Sequence, residues 1–477
     1  MKQINKLLTN IWPTADHLYI FQSVEYEVPR FWRWFNQHPY SRQLQKKQHL
    51  DWTSKAKLLM LSSQILTILC TVGLTVGLNQ NWTWLILWYL TLSQVSPIFL
   101  IVSSWLLIPI ESSTRRKLID RAIRRRQQLK NLKVVAIVGS YAKTSTKDML
   151  YTLLWNKYRV VKTPKSYNTE LSLARTINAD LKDNTEIFLA EMDAYQLGDI
   201  AQLAKIAQPT TGVITAIAPQ HLERFGSMDN LVKAQFEIVE SIKKNQGRML
   251  VNSDDPWMTD QTEKYLSNPI WVGENQISDV KLSDIKQTNN GTSFKIHWKN
   301  QSQQIELPLF GGHHSQNFAM AAAIALELGM SLKEIADRAR WMLPTPHRLE
   351  IKHQGSLTTI DNSYNTNPIS AQASFKLLKQ LPGKQKILIT PGLVELGETA
   401  DQANISFIEH AATVADYIII VGHNAKRALE TGLKNANYPK EQQIWVETTQ
   451  HALQLLPKIA VKDAVVLIEN DLPDQYF

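Results

Sequence analysis

The chain has 477 residues, with 52 lysines and arginines against 43 aspartates and glutamates, a formal net charge of +9 and one cysteine, Cys70. That length allows about three domains of ordinary size, and a lone cysteine excludes a disulfide framework and a cysteine-rich metal site. A basic chain raises the question of nucleic acid, but the cations gather around one uncharged stretch and no recognition motif accompanies them, so no nucleic-acid partner is expected.

Positions 58–110 contain no Asp, Glu, Lys or Arg. Residues 58–78 and 84–110 are each long enough to cross a bilayer as a helix. Between them Asn79-Gln80-Asn81-Trp82-Thr83 reads as a short polar turn at interface depth. Residues 1–57 carry nine Lys/Arg against four Asp/Glu, and residues 111–133 carry nine against two. Positive flanks on both sides predict a two-pass hairpin in the cell (inner) membrane, with both termini and the catalytic part in the cytoplasm. Membrane lipids are then partners, and a basic helix over 112–130 is expected to lie on the anionic inner leaflet. Pro29-Arg30-Phe31-Trp32-Arg33-Trp34-Phe35 mixes aromatic and basic residues in a way that suits an interfacial segment. The organisation expected is a basic segment over 1–57, the hairpin over 58–110, a juxtamembrane helix over 111–132, and domains over 133–344 and 345–477.

The chemistry begins after that. Val134 to Val138 form a β-branched apolar run, followed by the tight turn Gly139-Ser140-Tyr141-Ala142 and a helix opened by Lys143-Thr144-Ser145-Thr146. A strand, a small-residue turn and Lys-Thr at a helix start make a phosphate cradle. Backbone N–H groups and the helix dipole face the anion, the lysine reaches the outer phosphates, and the threonine hydroxyl can hold Mg²⁺. Strand-like runs at 158–162, 187–191, 211–215 and 248–251 then alternate with helical patterns. This predicts an α/β fold with a P-loop central domain, a mostly parallel sheet and ligands at the carboxyl ends of the strands. Glu191 closes one such strand and is placed to ligate Mg²⁺, and His221, just past another, is a candidate second ligand. Runs at 386–390, 417–421 and 464–468 predict a C-terminal Rossmann-like α/β domain.

Several stretches in order carry a family resemblance. They are Gly139-Ser140 with Lys143-Thr144-Ser145-Thr146-Lys147, Glu191-Met192, His221-Leu222-Glu223-Arg224-Phe225-Gly226-Ser227, and Asn252-Ser253-Asp254-Asp255-Pro256. Gly312-His313 with Asn317, His347-Arg348-Leu349-Glu350, Asp361-Asn362-Ser363-Tyr364-Asn365 and Glu395-Leu396-Gly397 follow. Over about residues 133–425 the chain resembles the Mur ligases, nearest to those that add D-alanyl-D-alanine to a muramoyl tripeptide. The resemblance implies an ATP-dependent, ADP-forming peptide ligase of cell-wall synthesis, working through an acyl phosphate. It implies that Gly139, Ser140, Ala142, Lys143, Thr144, Ser145, Asn317, Arg348 and Asp361 bind ATP. Thr144, Glu191 and His221 would hold Mg²⁺, Lys143, His221 and Arg348 would serve catalysis, and Asn168, Tyr364 and Asn365 would line the substrate side. Partners implied are a cell-wall precursor, an amino acid or dipeptide, and wall-synthesis proteins.

Four departures accompany the resemblance. Ala142 stands where a glycine is usual, Gln235 where many members carry a lysine that helps hold a second metal, and Asn362 where a second aspartate is usual. The hairpin occupies the place of the domain that binds the uridine-diphosphate end of the substrate, which raises the expectation of a lipid-linked acceptor. Two alternatives remain: a related ligase adding another amino acid, and a membrane-anchored nucleotide-binding scaffold.

Overall fold

The computed structural model describes residues 14–24, 26–37, 50–220, 222–288, 290–364 and 366–470. They fall into two compact units, one up to Arg116 and one from Lys117 onwards.

The first unit is helical, with segments Thr14–Ser23, Val28–Gln37, Ser54–Gly77, Trp84–Gln94 and the start of Ser96–Gln128. Its core gathers Leu18, Ile20, Phe21, Phe31, Leu59 and Leu100. The stretch expected as one span over 84–110 is divided at Val95, which leaves the helical region at φ −97° and ψ 23°. Pro97 explains the break: it offers no N–H to the preceding turn, and its ring clashes with the carbonyl four residues back. The basic stretch expected as a separate helix is instead the end of the 33-residue helix Ser96–Gln128. Ser54–Gly77 and Ser96–Gln128 are, by length and composition, long and apolar enough to cross a membrane.

Helix Ser54–Gly77 is inside-out relative to a water-soluble helix. Ser63, Thr67, Thr71 and Thr75, spaced by four on one face, are buried, whereas Leu61, Leu69 and Val76 are 59%, 61% and 63% exposed. The hydroxyls are satisfied within the helix, Thr67 donating to the Ser63 carbonyl and Thr71 to that of Thr67, both at 2.8 Å.

The second unit holds two sheets. Strands β1 (Lys133–Val138), β2 (Val160–Lys162), β3 (Ile187–Glu191), β4 (Thr211–Ile214), β5 (Arg248–Asn252), β6 (Ile270–Gly273), β7 (Val280–Thr288), β8 (Gly291–Trp298) and β9 (Gln301–Leu307) form a nine-stranded sheet. Its order is β2-β3-β1-β4-β5-β6-β7-β8-β9. The strands run parallel as far as β7, and β7, β8 and β9 close the edge as an antiparallel meander. The connection leaving β1 goes to one side and that leaving β4 to the other, so the crevice between these neighbours is the switch point of the sheet. Helices Lys143–Leu154 and His313–Glu327 cover one face through Leu150, Leu153, Phe318 and Ile324. Helices Glu170–Asp180 and Asp199–Ala207 cover the other through Leu173, Ile177, Ile200 and Leu203. The second sheet comprises β10 (Glu350–Gln354), β11 (Leu357–Asn362), β12 (Gln385–Thr390), β13 (Tyr417–Val421), β14 (Gln443–Val446) and β15 (Ala464–Glu469), in the order β10-β11-β15-β12-β13-β14. Only β10 is antiparallel to its neighbour. A mixed α/β fold with a mostly parallel central sheet and a second α/β sheet is as the alternating pattern predicts.

The end of the long helix packs on this unit, with Ala122, Leu129 and Leu132 buried beside Val134 and Ala136. Arg126 is buried and donates to the carbonyls of Ala207, Leu129, Leu132 and Gln208. Arg125 donates to the Leu181 carbonyl and pairs with Asp183. Two of the cations expected to face lipid therefore clasp protein, while Arg121 and Arg124 stay exposed. Arg126→Ala strands four carbonyls and is expected to destabilise the unit by about 3 kcal/mol in a denaturant titration in detergent.

Candidate functional site

The site starts at the end of β1. Gly139 has φ 136°, and a Cβ there would sit 2.2 Å from Thr215 Oγ1, so the backbone must be glycine to pass the end of β4. The Thr215 hydroxyl donates to the carbonyls of Val138 and Tyr141, at 3.1 and 2.6 Å, and ties the turn to β4. The Ser140 N–H donates to the Ala216 carbonyl, and its hydroxyl accepts from the Ala218 N–H. Burial, and then Asp255, push the Tyr141 phenol up to about 12. Ala142 is left-handed at φ 65° immediately before helix Lys143–Leu154. The backbone N–H groups of Tyr141, Ala142, Lys143, Thr144 and Ser145 find no acceptor among the described residues. Five consecutive free donors at a helix start form a concavity for an anion.

The side chains around this nest are interlocked. Lys143 folds back, its Nζ donating to the Gly139 carbonyl at 2.6 Å and lying 3.1 Å from Asp193 Oδ1. Asn168 donates to the other oxygen of Asp193 at 3.3 Å. Thr144 Oγ1 donates to Glu191 Oε1 at 3.0 Å, and Lys147 Nζ to Glu191 Oε2 at 2.8 Å. Lys147 and Glu191 are almost wholly buried, and Lys147 also donates to the Lys165 carbonyl. A hydroxyl and a carboxylate this close are a hard oxygen pair, which fits Mg²⁺. Gln235 is buried and its Oε1 has no partner among the described residues, so an acceptor stands where the family resemblance expects a lysine.

Asn317 stands half-buried in helix His313–Glu327, where burial lowers His313 to about 4, and burial together with His313 beside it lowers His314 well below its ordinary value. The neighbouring Gln316 donates to Asn252 Oδ1 and to the Val272 carbonyl. His221 and Asn365 lie outside the described residues.

A second cluster lies at the start of the C-terminal sheet. Asp361 Oδ2 takes Lys352 Nζ at 2.7 Å and His347 Nδ1 at 2.9 Å, and Oδ1 takes the Ser363 hydroxyl at 2.6 Å. Burial pushes the Asp361 carboxyl up, but Lys352, Ser363 and His347 outweigh it and hold it below the usual range. The Arg348 guanidinium lies 4.5 Å from the centre of the exposed Tyr364 ring. Asp361 and Asn362, consecutive on β11, face opposite ways. Asn362 donates to Glu469 Oε1 at 3.0 Å, so its missing charge is not lost from the group around Asp361.

The structure thus joins Lys143, Thr144, Glu191 and Asn168 in one group, and Arg348, Asp361 and Tyr364 in another. No hydrogen bond or ion pair among the described residues links the two. Asp193, Lys352 and Glu469 were missed by the sequence reading, and Lys147, though part of the motif after Gly139-Ser140, was given no role. Asp193, two residues past the strand-ending Glu191, follows the same strand-end rule. Lys147, one helical turn beyond Lys143, had its spacing as a signal.

Comparison with known families matches the Mur ligase middle domain to residues 137–325 and the Mur ligase glutamate ligase domain to residues 347–469. The chain belongs to the Mur ligase family. Among curated sequences it is 32% identical over 272 residues to the UDP-N-acetylmuramoyl-tripeptide–D-alanyl-D-alanine ligase of Bacillus subtilis, covering 56% of this chain and 57% of that one. The Escherichia coli enzyme of the same name is 29% identical over 295 residues, 61% and 64% of the two chains. This Mur ligase therefore spans less than two thirds of the curated relatives it matches. Among solved structures, MurF from Acinetobacter baumannii superposes with a TM-score of 0.68 at 26% identity, over 76% of this chain and 78% of that chain. MurF from Thermotoga maritima, in complex with ADP, gives 0.65 at 26% identity over 74% and 80%.

Two outcomes follow for this Mur ligase. Ala142→Gly relieves a left-handed alanine and is expected to stabilise the protein by about 1 kcal/mol, read from its thermal midpoint. Glu469 is wholly buried, and burial, opposed by bonds from Ser374, Thr366 and Asn362, raises its pKa from 4.5 to about 8. The folded protein keeps a proton that the unfolded chain releases near pH 4.5, so this contribution is intact below that pH and lost as pH rises through about 8. Urea midpoints at pH 6 and pH 9 are expected to differ, with Glu469→Gln narrowing the gap.

Proposed function

We propose that the chain is an ATP-dependent amide ligase that adds D-alanyl-D-alanine to a muramoyl peptide while anchored in a membrane. The observation that carries this reading is the nest of five free N–H groups at Lys143, with Thr144 and Glu191 beside it. The names of the relatives supply the substrates. A carboxylate is a poor electrophile, so its oxygen first takes the γ-phosphoryl group of ATP and ADP leaves. The amine nitrogen then attacks the acyl carbon, the C–O bond to phosphate breaks, and the amine gives up a proton.

In this reading the nest and Lys143 bind the β- and γ-phosphates, Lys143 exchanging Asp193 for them. Charge on the migrating group is then met by preorganised donors rather than by water. Thr144 and Glu191 are the residues that would hold Mg²⁺, with His221 and the Gln235 carbonyl as candidates for a second ion. Mg²⁺ held there would supply neutralisation of the phosphate charge. Asn317, Arg348 and Asp361 close on the nucleotide, with Ser140, Ala142 and Ser145 in the cradle. Asn168, Tyr364 and Asn365 line the acceptor and amine side. Domain closure would shield the acyl phosphate from water.

Membrane anchoring rests on the exposed leucines and buried hydroxyls of helix Ser54–Gly77 and on the cationic flanks. An anchored ligase suits an acceptor presented at the cytoplasmic face, including a lipid-linked one, and a surface for wall-synthesis partners. The test is phosphate release by protein purified in detergent, given ATP, Mg²⁺, D-alanyl-D-alanine and either the UDP-linked or the lipid-linked muramoyl tripeptide. Release that needs both substrates, and falls at least about a thousandfold in Lys143→Ala, is expected. Nucleotide binding without release for any pair overturns the ligase reading, and equal rates with both acceptors overturn the lipid-linked one. Recovery in the soluble fraction after lysis overturns the anchor.

A further inference from the structure

Arg348 sits on a strained loop. His347 and Leu349, on either side of it, are both left-handed, at φ 61° and 52°. Neither is glycine, and each such residue costs on the order of 1 kcal/mol or more. The loop must therefore be held from outside. Besides the His347 contacts to Asp361 and Glu350, the Tyr364 N–H donates to the His347 carbonyl at 3.3 Å, and the Leu349 N–H donates to Asn362 Oδ1 at 3.2 Å. The last of these depends on which way the Asn362 amide points. Its Nδ2 donates to Glu469 Oε1 at 3.0 Å and to Thr366 Oγ1 at 3.2 Å, and Thr366 donates to the same Glu469 oxygen at 2.8 Å. Asn362, Thr366 and Glu469 are all buried.

We propose that Asn362 and Glu469 are a matched pair of positioning residues that present Arg348 to the nucleotide. This rests on the reading that Arg348 meets ATP. The polarity of the pair is one-way. The amide gives its hydrogens to Glu469 and its oxygen to Leu349, whereas a carboxylate at 362 has no hydrogen to give, so the proton between the pair would have to come from Glu469. Among the described residues, the groups facing Glu469 are Asn362 at the end of β11, Thr366 after it and Ser374 from the helix after Asn367, and none of them is charged.

The decisive experiment compares Asn362→Asp with the double variant Asn362→Asp/Glu469→Gln, measuring the KM for ATP from pH 6 to pH 9. In the single variant two buried carboxyls share one proton, and the KM is expected to rise about tenfold across that range as the proton is lost. In the double variant the introduced glutamine amide donates to the carboxylate now at position 362, Leu349 keeps its acceptor, and the KM returns to within about twofold of the unsubstituted chain at every pH. A merely structural role would lower stability without this pH-dependent KM or its rescue. If the single variant fails to fold, the double variant and the circular dichroism of both carry the comparison. A flat, unsubstituted-like KM in Asn362→Asp, or a double variant as impaired as the single one, overturns the proposal. Absence of ATP-dependent ligation in the unsubstituted chain instead overturns the underlying functional reading.

Discussion

The approach of the turn after β1 to the end of β4 is the constraint from which the site grows. A Cβ at Gly139 would lie 2.2 Å from Thr215 Oγ1, so the chain can pass there only as glycine. Thr215 then bonds the turn on both sides of that glycine. With the turn fixed, the first N–H groups of helix Lys143–Leu154 are aimed into the crevice where β1 and β4 send their connections apart. The left-handed Ala142 is the strain that this geometry imposes, and the free donors are its product.

Burial decides what the charges around the nest can do. Glu191 is 1% exposed and would be costly to keep ionised alone, but Lys147 and Thr144 occupy one oxygen each. Lys143 has an analogous arrangement with Asp193, although its lysine is also held by a carbonyl of its own turn. The difference matters. The Lys147 pair is locked in the core and fixes the carboxylate, whereas Lys143 makes contacts that an incoming polyphosphate can replace, Asp193 then keeping the Asn168 amide and the Ala194 N–H as donors.

How much was legible follows from where each signal lives. The turn from Gly139 to Thr146 and the strand ending in Glu191 are contiguous in sequence, so strand pattern and helix start specified them. Glu469 gains its meaning from a partner 107 residues away and Lys352 from its place across the β10–β11 hairpin from Asp361, and no local pattern announces either, whereas Asp193 had the strand-end rule. The meander β7–β9 alternates, with Val280 and Leu282, then Thr292, Phe294 and Ile296, then Ile305 and Leu307 buried, but it breaks the strand–helix rhythm the sequence was read for and passed unseen, as did the short β10 and β11. In the helical unit, hydropathy alone read through Val95, because a proline entering a new helix looks the same as one inside a span until the backbone is seen. Asn362 is the clearest case: in sequence it is an aspartate lost beside Asp361, and in the fold it faces the other way.

That opposite facing has a general reason. Successive residues of β11 alternate between faces, so Asp361 belongs to the charged group of His347 and Lys352, while Asn362 belongs to the buried end of β15. The same alternation lets one strand serve two environments. On one face an acid is held ionised by cations, and on the other burial raises an acid to about 8. An aspartate would suit the first face and not the second. The amide at 362 therefore serves two neighbours at once, giving hydrogens to Glu469 and an oxygen to the Leu349 N–H of the Arg348 loop.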